Sequence, residues 1–356
     1  MPLIPEARLH RLVVDVLSAA GLTASEAHAC AEAALFADLR GSATHGIMYI
    51  IPRTLESIRE GKTVSGSMTN VVKDSGAAVL VSGSGVVGPV FAGDAMRLAM
   101  EKARRQGVGI VNTFNGNPIG LLGYYAQLAA EKGLLGMVMA NTAPAAAPHG
   151  GTTAVLGTNP FAYAAPATES RPIVFDVATT VASSGKLAQA KRKGGTLPPD
   201  WMIDREGRPV TDPQAAASAV MLPCGGHKGS GLGILIHLLT GGLSETTIGG
   251  EPTHNHPDPR RRGQGALFLA IDPDCFGSRA GFREMVERQI GYIHGAAPLP
   301  GGPSLIYPGE RGWAEFDRRR GGGIPVPEED WQAVTKAMRS AGIPDEFFGD
   351  IGRTAR

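Results

Sequence analysis

The stretch Asp38-Leu-Arg-Gly-Ser-Ala-Thr-His-Gly46 gathers a carboxylate, a guanidinium, the Thr44 hydroxyl and the His45 imidazole on one short segment. An imidazole titrates near neutrality, so on a turn it can give or take a proton. A lone histidine on a turn is also commonly structural or solvated, and this stretch alone does not decide between the two. Two further segments carry polar groups at chemically useful spacing. Gly157-Thr-Asn-Pro160 puts a hydroxyl (Thr158), an amide and backbone N–H groups at one bend, which suits an anionic ligand and equally an Asx-type turn. Gly225-Gly-His-Lys-Gly229 opens a long apolar run, so His227 and Lys228 meet the free N–H groups of a helix start. A lysine there opposes the helix macrodipole unless an anion joins it.

Other patterns are weaker. Gly83-Ser-Gly85-Val-Val-Gly88 fits the spacing of a dinucleotide loop, but Pro89 follows it and the next apolar run ends in Asn112-Thr113 rather than a carboxylate. It reads as a tight connection. His254-Asn-His256-Pro-Asp258 has no Cys or Glu partner at fixed spacing and reads as a loop, so no metal is expected. The runs Arg260–Arg262 and Arg318–Arg320 read as solvated charge.

The elements that must position these groups follow from periodicity. Leu9, Leu12, Val13, Val16 and Leu17 fall at helical spacing, and Thr23-Ala-Ser-Glu26 has the form of a capping box opening a second helix to about residue 37. A short third helix is expected to end near Pro52 and Glu60-Gly-Lys62. Beyond residue 76, Ala77–Val81, Val108–Val111, Leu134–Ala140, Ile173–Val177 and Ala266–Ile271 read as buried strands. Helices are predicted over about 91–106, 120–132, 227–242, 278–290 and 328–340, with a loop-rich lobe over 185–220. The class is α/β.

At 356 residues, with 43% hydrophobic and 19% charged residues, the chain has the composition of a globular enzyme. A net charge of +1 gives no general attraction to nucleic acid or anionic membrane, and no stretch of about 18 apolar residues reads as a span. Three widely spaced cysteines and an N-terminus without a basic, apolar leader point to the cytoplasm.

Taken together, the ordered motifs resemble the malate/L-lactate dehydrogenase family of the second type. They are Asp38-Leu-Arg-Gly41 with His45-Gly46, Gly150-Gly151 leading to Gly157–Pro160, Phe175-Asp-Val-Ala-Thr179, Pro198 with Trp201, Thr211-Asp-Pro213, Gly225–Gly229, Pro308-Gly-Glu-Arg311 and Gly323-Ile-Pro325. The resemblance implies a homodimeric NAD- or NADP-dependent reductase of a small-molecule substrate. In such enzymes the substrate is a 2-oxo acid, ureidoglycolate, diketogulonate, sulfolactate or a cyclic imino acid. It implies a cofactor domain on a large sheet of non-Rossmann type (76–180 and 255–324), a helical domain (1–75, joined by 325–356) and an inserted lobe (181–254). By position, His45 resembles the acid/base, aided by Thr44. Asp176, Ala178, Thr179, His227, Lys228, Pro308, Gly309 and Arg311, with Pro118 and Gly120, resemble cofactor contacts, and Thr158 a substrate contact.

Three departures stand out. The family's Asn-Ser-x-His-Phe-Gly is here Asn115-Gly-Asn-Pro-Ile-Gly120, so Pro118 replaces an imidazole. Tyr49 stands where an Arg usually binds the substrate carboxylate, leaving Arg53, one turn on, as the nearest guanidinium. Thr44 replaces a Ser. Lys186 sides with hydroxy-acid rather than cyclic-imine members. The reading is an oxidoreductase with an atypical substrate; the alternative is a family fold without redox activity, acting as a binding protein or in a non-redox step.

Overall fold

The structure, a computed structural model, describes residues 3–251 and 263–348. It opens with strand β1 (Leu3–Ile4) and helices α1 (Glu6–Ala19), α2 (Ala24–Leu39) and α3 (Ile47–Arg59). Next come β2 (Asn70–Ser75), β3 (Ala78–Ser82), α4 (Gly88–Gln106), β4 (Val108–Gly116), α5 (Leu122–Ala130), β5 (Leu135–Ala140), β6 (Phe161–Ala165) and β7 (Ile173–Val177). Then come α6 (Ser184–Lys193), β8 (Met202–Ile203), β9 (Val220–Met221) and α7 (His227–His237). β10 (Gln264–Ile271), α8 (Arg279–His294), α9 (Glu310–Gly322), β11 (Ile324–Pro325) and α10 (Glu328–Ser340) complete the described chain.

The large sheet has seven strands in the order β2-β3-β4-β10-β5-β6-β7. Among its described pairs β3 and β4 alone run parallel, crossing through α4, and the rest are antiparallel. That mixed order is not a doubly wound parallel sheet. β10 pairs on both sides, with Phe268 opposite Val111 and Val138. Phe268 is fully buried and meets the Tyr125 ring edge-on at 6.2 Å between centroids. Burying such a side chain contributes about 1.5–3 kcal/mol. One face of the sheet packs on α4 and α5 through Val111, Val138, Ala162 and Ala164.

A second core joins α1, α2 and α3 to the late segment carrying Ile324, Trp331, Val334 and Met338. β1 pairs with β11, so the two ends of the described chain close on each other. The Thr23 cap forms as read: its hydroxyl accepts the Glu26 N–H at 3.3 Å, and Glu26 takes the Thr23 N–H at 2.8 Å. A small third core gathers Ala146, Leu156, Leu197, Met202, Ala216 and Met221.

All five strand runs read from the sequence are strands of the large sheet, and β2 and β6 complete its seven. β2 is exposed at every position and has no apolar period to betray it, and β6 (Phe-Ala-Tyr-Ala-Ala) is rich in alanine. Pro52 does not end the third helix but lies inside α3, because the cost is confined to the carbonyl that its missing N–H leaves unpaired while Ile47, Ile50, Ile51 and Leu55 stay buried. Gly83–Gly88 does open a helix, with Pro89 in its first turn, contrary to the reading of Pro89 as an interruption. Its glycines nevertheless serve packing: a Cβ on Gly88 would collide with the Pro118 carbonyl, and one on Gly83 would sit 2.6 Å from the Phe91 ring. The run Arg318–Arg320 is the last turn of α9, where Arg319 is largely buried rather than solvated. The runs at 254–258 and 260–262 lie outside the described residues.

Close packing of α4 on β4 rests on Gly109, where a Cβ would collide with the Ala99 carbonyl and lie 2.8 Å from the Lys102 Cβ. Gly109→Ala is expected to destabilise the fold by about 1–3 kcal/mol, read by urea or thermal melting. An unchanged midpoint would show that the two elements separate at no cost.

Candidate active site

α2 stops at Gly41, a left-handed residue (φ 78°), and the chain turns through a single 3-10 turn, Ala43–His45, into α3. The Ser42 carbonyl accepts the His45 N–H at 2.9 Å. Thr44 Oγ1 and His45 Nδ1 are hydrogen-bonded at 3.1 Å, and no partner for Nε2 occurs among the described residues. His45 is half-buried, and burial lowers its pKa below the ordinary histidine value. The ring is therefore neutral near pH 7 and able to accept a proton.

Three elements close on this turn. Tyr49, in the first turn of α3, faces His45 with ring centroids 5.5 Å apart at 34°. Its phenol is kept neutral by burial, which raises its pKa against the pull of Arg53. Gly120 lies beside it in the left-handed region (φ 80°), its α-carbon facing the His45 carbonyl and the Ile50 side chain. Gly185, in the first turn of α6, abuts Thr44, and Lys186, next along the helix, is exposed. Pro118 is held by its neighbour: Asn117 donates to the Lys62 and Val86 carbonyls at 3.0 and 2.8 Å and accepts the Ser57 hydroxyl at 2.9 Å. Arg53 is engaged elsewhere, in an exposed ion pair with Glu56 at 2.8 Å.

Asp176 ends β7 and places its carboxylate at the start of α5, where Oδ2 accepts the Gly123 N–H at 2.6 Å. Burial pushes this carboxyl up to about 7, although the Gly123 and Leu122 N–H groups pull it down. Pro308 and Gly309 lie against the same strand, two residues earlier: the Pro308 carbonyl accepts the Val174 N–H at 3.1 Å, and a Cβ on Gly309 would crowd Val174 at 2.8 Å. Arg311 is exposed in the first turn of α9.

From Asp176 the chain runs through Ala178 into a second cluster. The Thr158 carbonyl accepts both the N–H and the hydroxyl of Thr179, at 2.9 and 3.1 Å. The Thr179 carbonyl takes the Cys224 N–H at 2.9 Å and leaves no room for a side chain on Gly229. Asn159, itself left-handed (φ 33°), donates to the Gly233 carbonyl at 2.8 Å. Thr158 and Thr179 are thereby tied to the head of α7, where His227 and Lys228 are exposed and no side chain caps the helix. His149 joins them, its ring 6.0 Å from that of His227 and its N–H donating to Ser230 Oγ at 3.2 Å. Sequence reading passed over His149 because nothing in its spacing to His227, far along the chain, announces the contact. Among the described residues no His, Cys, Asp or Glu cluster is arranged to hold a metal.

Eight of the expected site residues fall into two linked groups, while Pro308, Gly309 and Arg311 stand at the start of α9 beside Val174 or exposed. Thr44, His45, Tyr49 and Gly120 gather at one turn, and Thr158, Thr179, His227 and Lys228 at one helix start, with residues 176–186 running from one to the other and Lys186 exposed on α6. Arg53 is bound to its own helix surface. An exposed lysine and imidazole at an uncapped helix start, approached by glycines, are a donor set that fits the phosphates of a dinucleotide.

A carboxyl raised from 3.8 to about 7 binds more protons folded than unfolded between those values, so its contribution to stability falls as pH rises through that window. Asp176→Asn should flatten the decline in melting temperature between about pH 4 and pH 7. An identical slope in the variant would show that Asp176 titrates normally.

Comparison with known proteins places the chain in a family. The pattern that defines the malate/L-lactate dehydrogenase family matches residues 4–335. L-sulfolactate dehydrogenase of Methanothermobacter thermautotrophicus is 33% identical over 343 residues, covering 96% of this chain and 98% of its own. Ureidoglycolate dehydrogenase (NAD(+)) of Escherichia coli is 31% identical over 303 residues, covering 85% and 86%. The solved sulfolactate dehydrogenase of Methanocaldococcus jannaschii superposes with a TM-score of 0.85 at 30% identity, over 97% of this chain and 99% of that one. With whole-length matches in sequence and in fold, the chain belongs to the malate/L-lactate dehydrogenase family.

Proposed function

We propose that this oxidoreductase transfers hydride between NAD or NADP and a 2-oxo or 2-hydroxy acid-like or cyclic imine substrate, with His45 as the proton donor and acceptor. The observation that carries the reading is the convergence of Gly120, Gly185 and Tyr49 on the Thr44-His45 turn, with one continuous segment leading from there to the head of α7. The nicotinamide supplies or removes the hydride when bound. Lys228 and His227 would hold phosphate, and Asp176, Ala178, Thr179, Pro308, Gly309 and Arg311 would flank the remainder, beside Pro118 and Gly120.

Thr44 orients the imidazole through Nδ1, which leaves Nε2 as the nitrogen that exchanges a proton with substrate. Tyr49 offers a neutral hydroxyl where a cation would clamp a carboxylate, and Arg53 is engaged by Glu56. Lys186, exposed on α6, and Thr158 near the α7 head are then the groups that read the substrate. A substrate less anionic or bulkier than malate fits this set.

The homodimer is supported by unpaired apolar surface. Leu232, Leu235 and Leu238 are about half exposed on and just beyond α7, and Met137, Met139, Phe161 and Phe175 form a half-buried row on the sheet face opposite α5. Among the described residues no helix is long and apolar enough to cross a membrane. The three cysteines are free, in keeping with the reducing cytoplasm proposed for this chain.

Purified protein assayed with NADH and NADPH against a panel of 2-oxo acids and cyclic imines tests the activity. His45→Ala should lower kcat by about 10²–10⁴-fold. Wild-type turnover in that variant would remove His45 from the chemistry, and absence of cofactor binding by calorimetry would favour a non-redox role. Light scattering should give twice the 37.0 kDa of one chain, and Leu235→Glu should halve it; a monomeric wild type would overturn the dimer.

A further inference from the structure

Asp38 is the last acidic residue before the His45 turn, 3% exposed, and it does not touch the imidazole. Its Oδ2 accepts the N–H of Ile47, the first residue of α3, at 2.9 Å. Its backbone carbonyl accepts Arg319 Nη1 at 2.6 Å, from α9. The carboxylate fills the space beside the Gly46 α-carbon, where any side chain would collide with it. The turn bearing His45 is thus gripped from below by Asp38 and from the far side by Gly185 of α6, while its own helical bonds are those of a single 3-10 turn.

We propose that Asp38 is a positioning residue for His45: its buried carboxylate, by accepting the Ile47 N–H, fixes the turn that carries the imidazole against the substrate. The proposal rests on His45 being the acid/base and adds the group that sets where its proton is delivered. A displacement of about 1 Å at a reacting group can cost 10²-fold in rate. The charged groups that face the carboxylate are Arg319 from α9, with Glu315 bonded to it at 2.7 Å, and Asp330 from α10, paired with Arg192 of α6 at 2.9 Å.

The test uses the full chain with Asp38→Ala, Asp38→Asn and His45→Ala, each checked by thermal melting. Hydrogen–deuterium exchange reads the Ile47 amide, and the imidazole resonances read the His45 titration. In Asp38→Ala, Ile47 should lose protection by about tenfold or more, and the His45 pKa should rise toward the ordinary ~6.5 as the ring gains solvent. Asp38→Asn should restore both, because an amide oxygen accepts the same N–H. With NADH and the oxo-acid and imine panel, Asp38→Ala should lose kcat by about 10²-fold while the KM for NADH stays within about twofold. Should Asp38→Ala fail to fold, the double variant with Gly46→Ala replaces it, since the new methyl occupies the space vacated by the carboxylate. Wild-type exchange and titration in the Asp38→Ala or double variant would falsify the proposal even with His45→Ala inactive. Full turnover in His45→Ala would instead overturn the acid/base reading and leave the Ile47 and titration results standing on their own.

Discussion

One strand from late in the chain holds the molecule together. β4 and β5 do not pair with each other; each pairs with β10, which arrives more than a hundred residues after β5. Backbone groups at depth must find partners, so without β10 two ladders would be left open in the centre of the sheet. Its buried side chains, Ala266, Phe268 and Ala270, complete the face on which α4 and α5 rest. The Asn141 side chain adds a polar clasp there, accepting the Gly265 N–H at 2.8 Å and donating to the Thr247 carbonyl at 3.1 Å. Between β5 and β10 the chain first adds β6 and β7 to the sheet and then leaves it through α6 and α7, the stretch that carries Thr179, His227 and Lys228.

That arrangement explains which parts of the architecture were legible from the residues alone. Strands with Val, Ile and Leu at their centres announced themselves, as did helices with a regular apolar stripe and a capping residue such as Thr23. β2 escaped because both of its faces are wet, and β6 because alanines leave no periodic contrast. Strand order was not readable at all, since it depends on pairings such as Leu267 with Asn112 and Met139 across long stretches of chain. The candidate site divides the same way. His45, Thr158 and Lys228 were named from local motifs and Thr179 from the family resemblance, whereas the contacts that gather them, Gly185 on Thr44 and Thr179 on Thr158, are long-range and invisible to spacing. Arg319 shows the limit most sharply. As one of three consecutive arginines it reads as solvated charge, yet its partners are the Asp38 carbonyl and Glu315.

A recurring electrostatic device runs through the site. Asp38 and Asp176 are carboxylates brought from a neighbouring element to the first turn of a helix, α3 and α5 respectively, whose own sequence supplies no capping side chain. Each replaces a local cap with a long-range one, so the helix start is fixed to a different part of the fold. The cost is desolvation, which lifts both carboxyls to about 7. The gain is geometric: the helix starts flanking the His45 turn are pinned by atoms belonging to α2 and β7.

The edges of the sheet carry a different consequence. β2 is bulged between Val71 and Lys73, and Asp74 on it binds Lys102 of α4. At the opposite edge the main chain at Pro308 covers Val174 of β7. A bulged, charged border and a capped one are poor templates for a foreign strand. Crowded copies of this protein are thereby steered away from edge-to-edge polymerisation, and the apolar sheet face remains open for association without the hazard of an endless ladder.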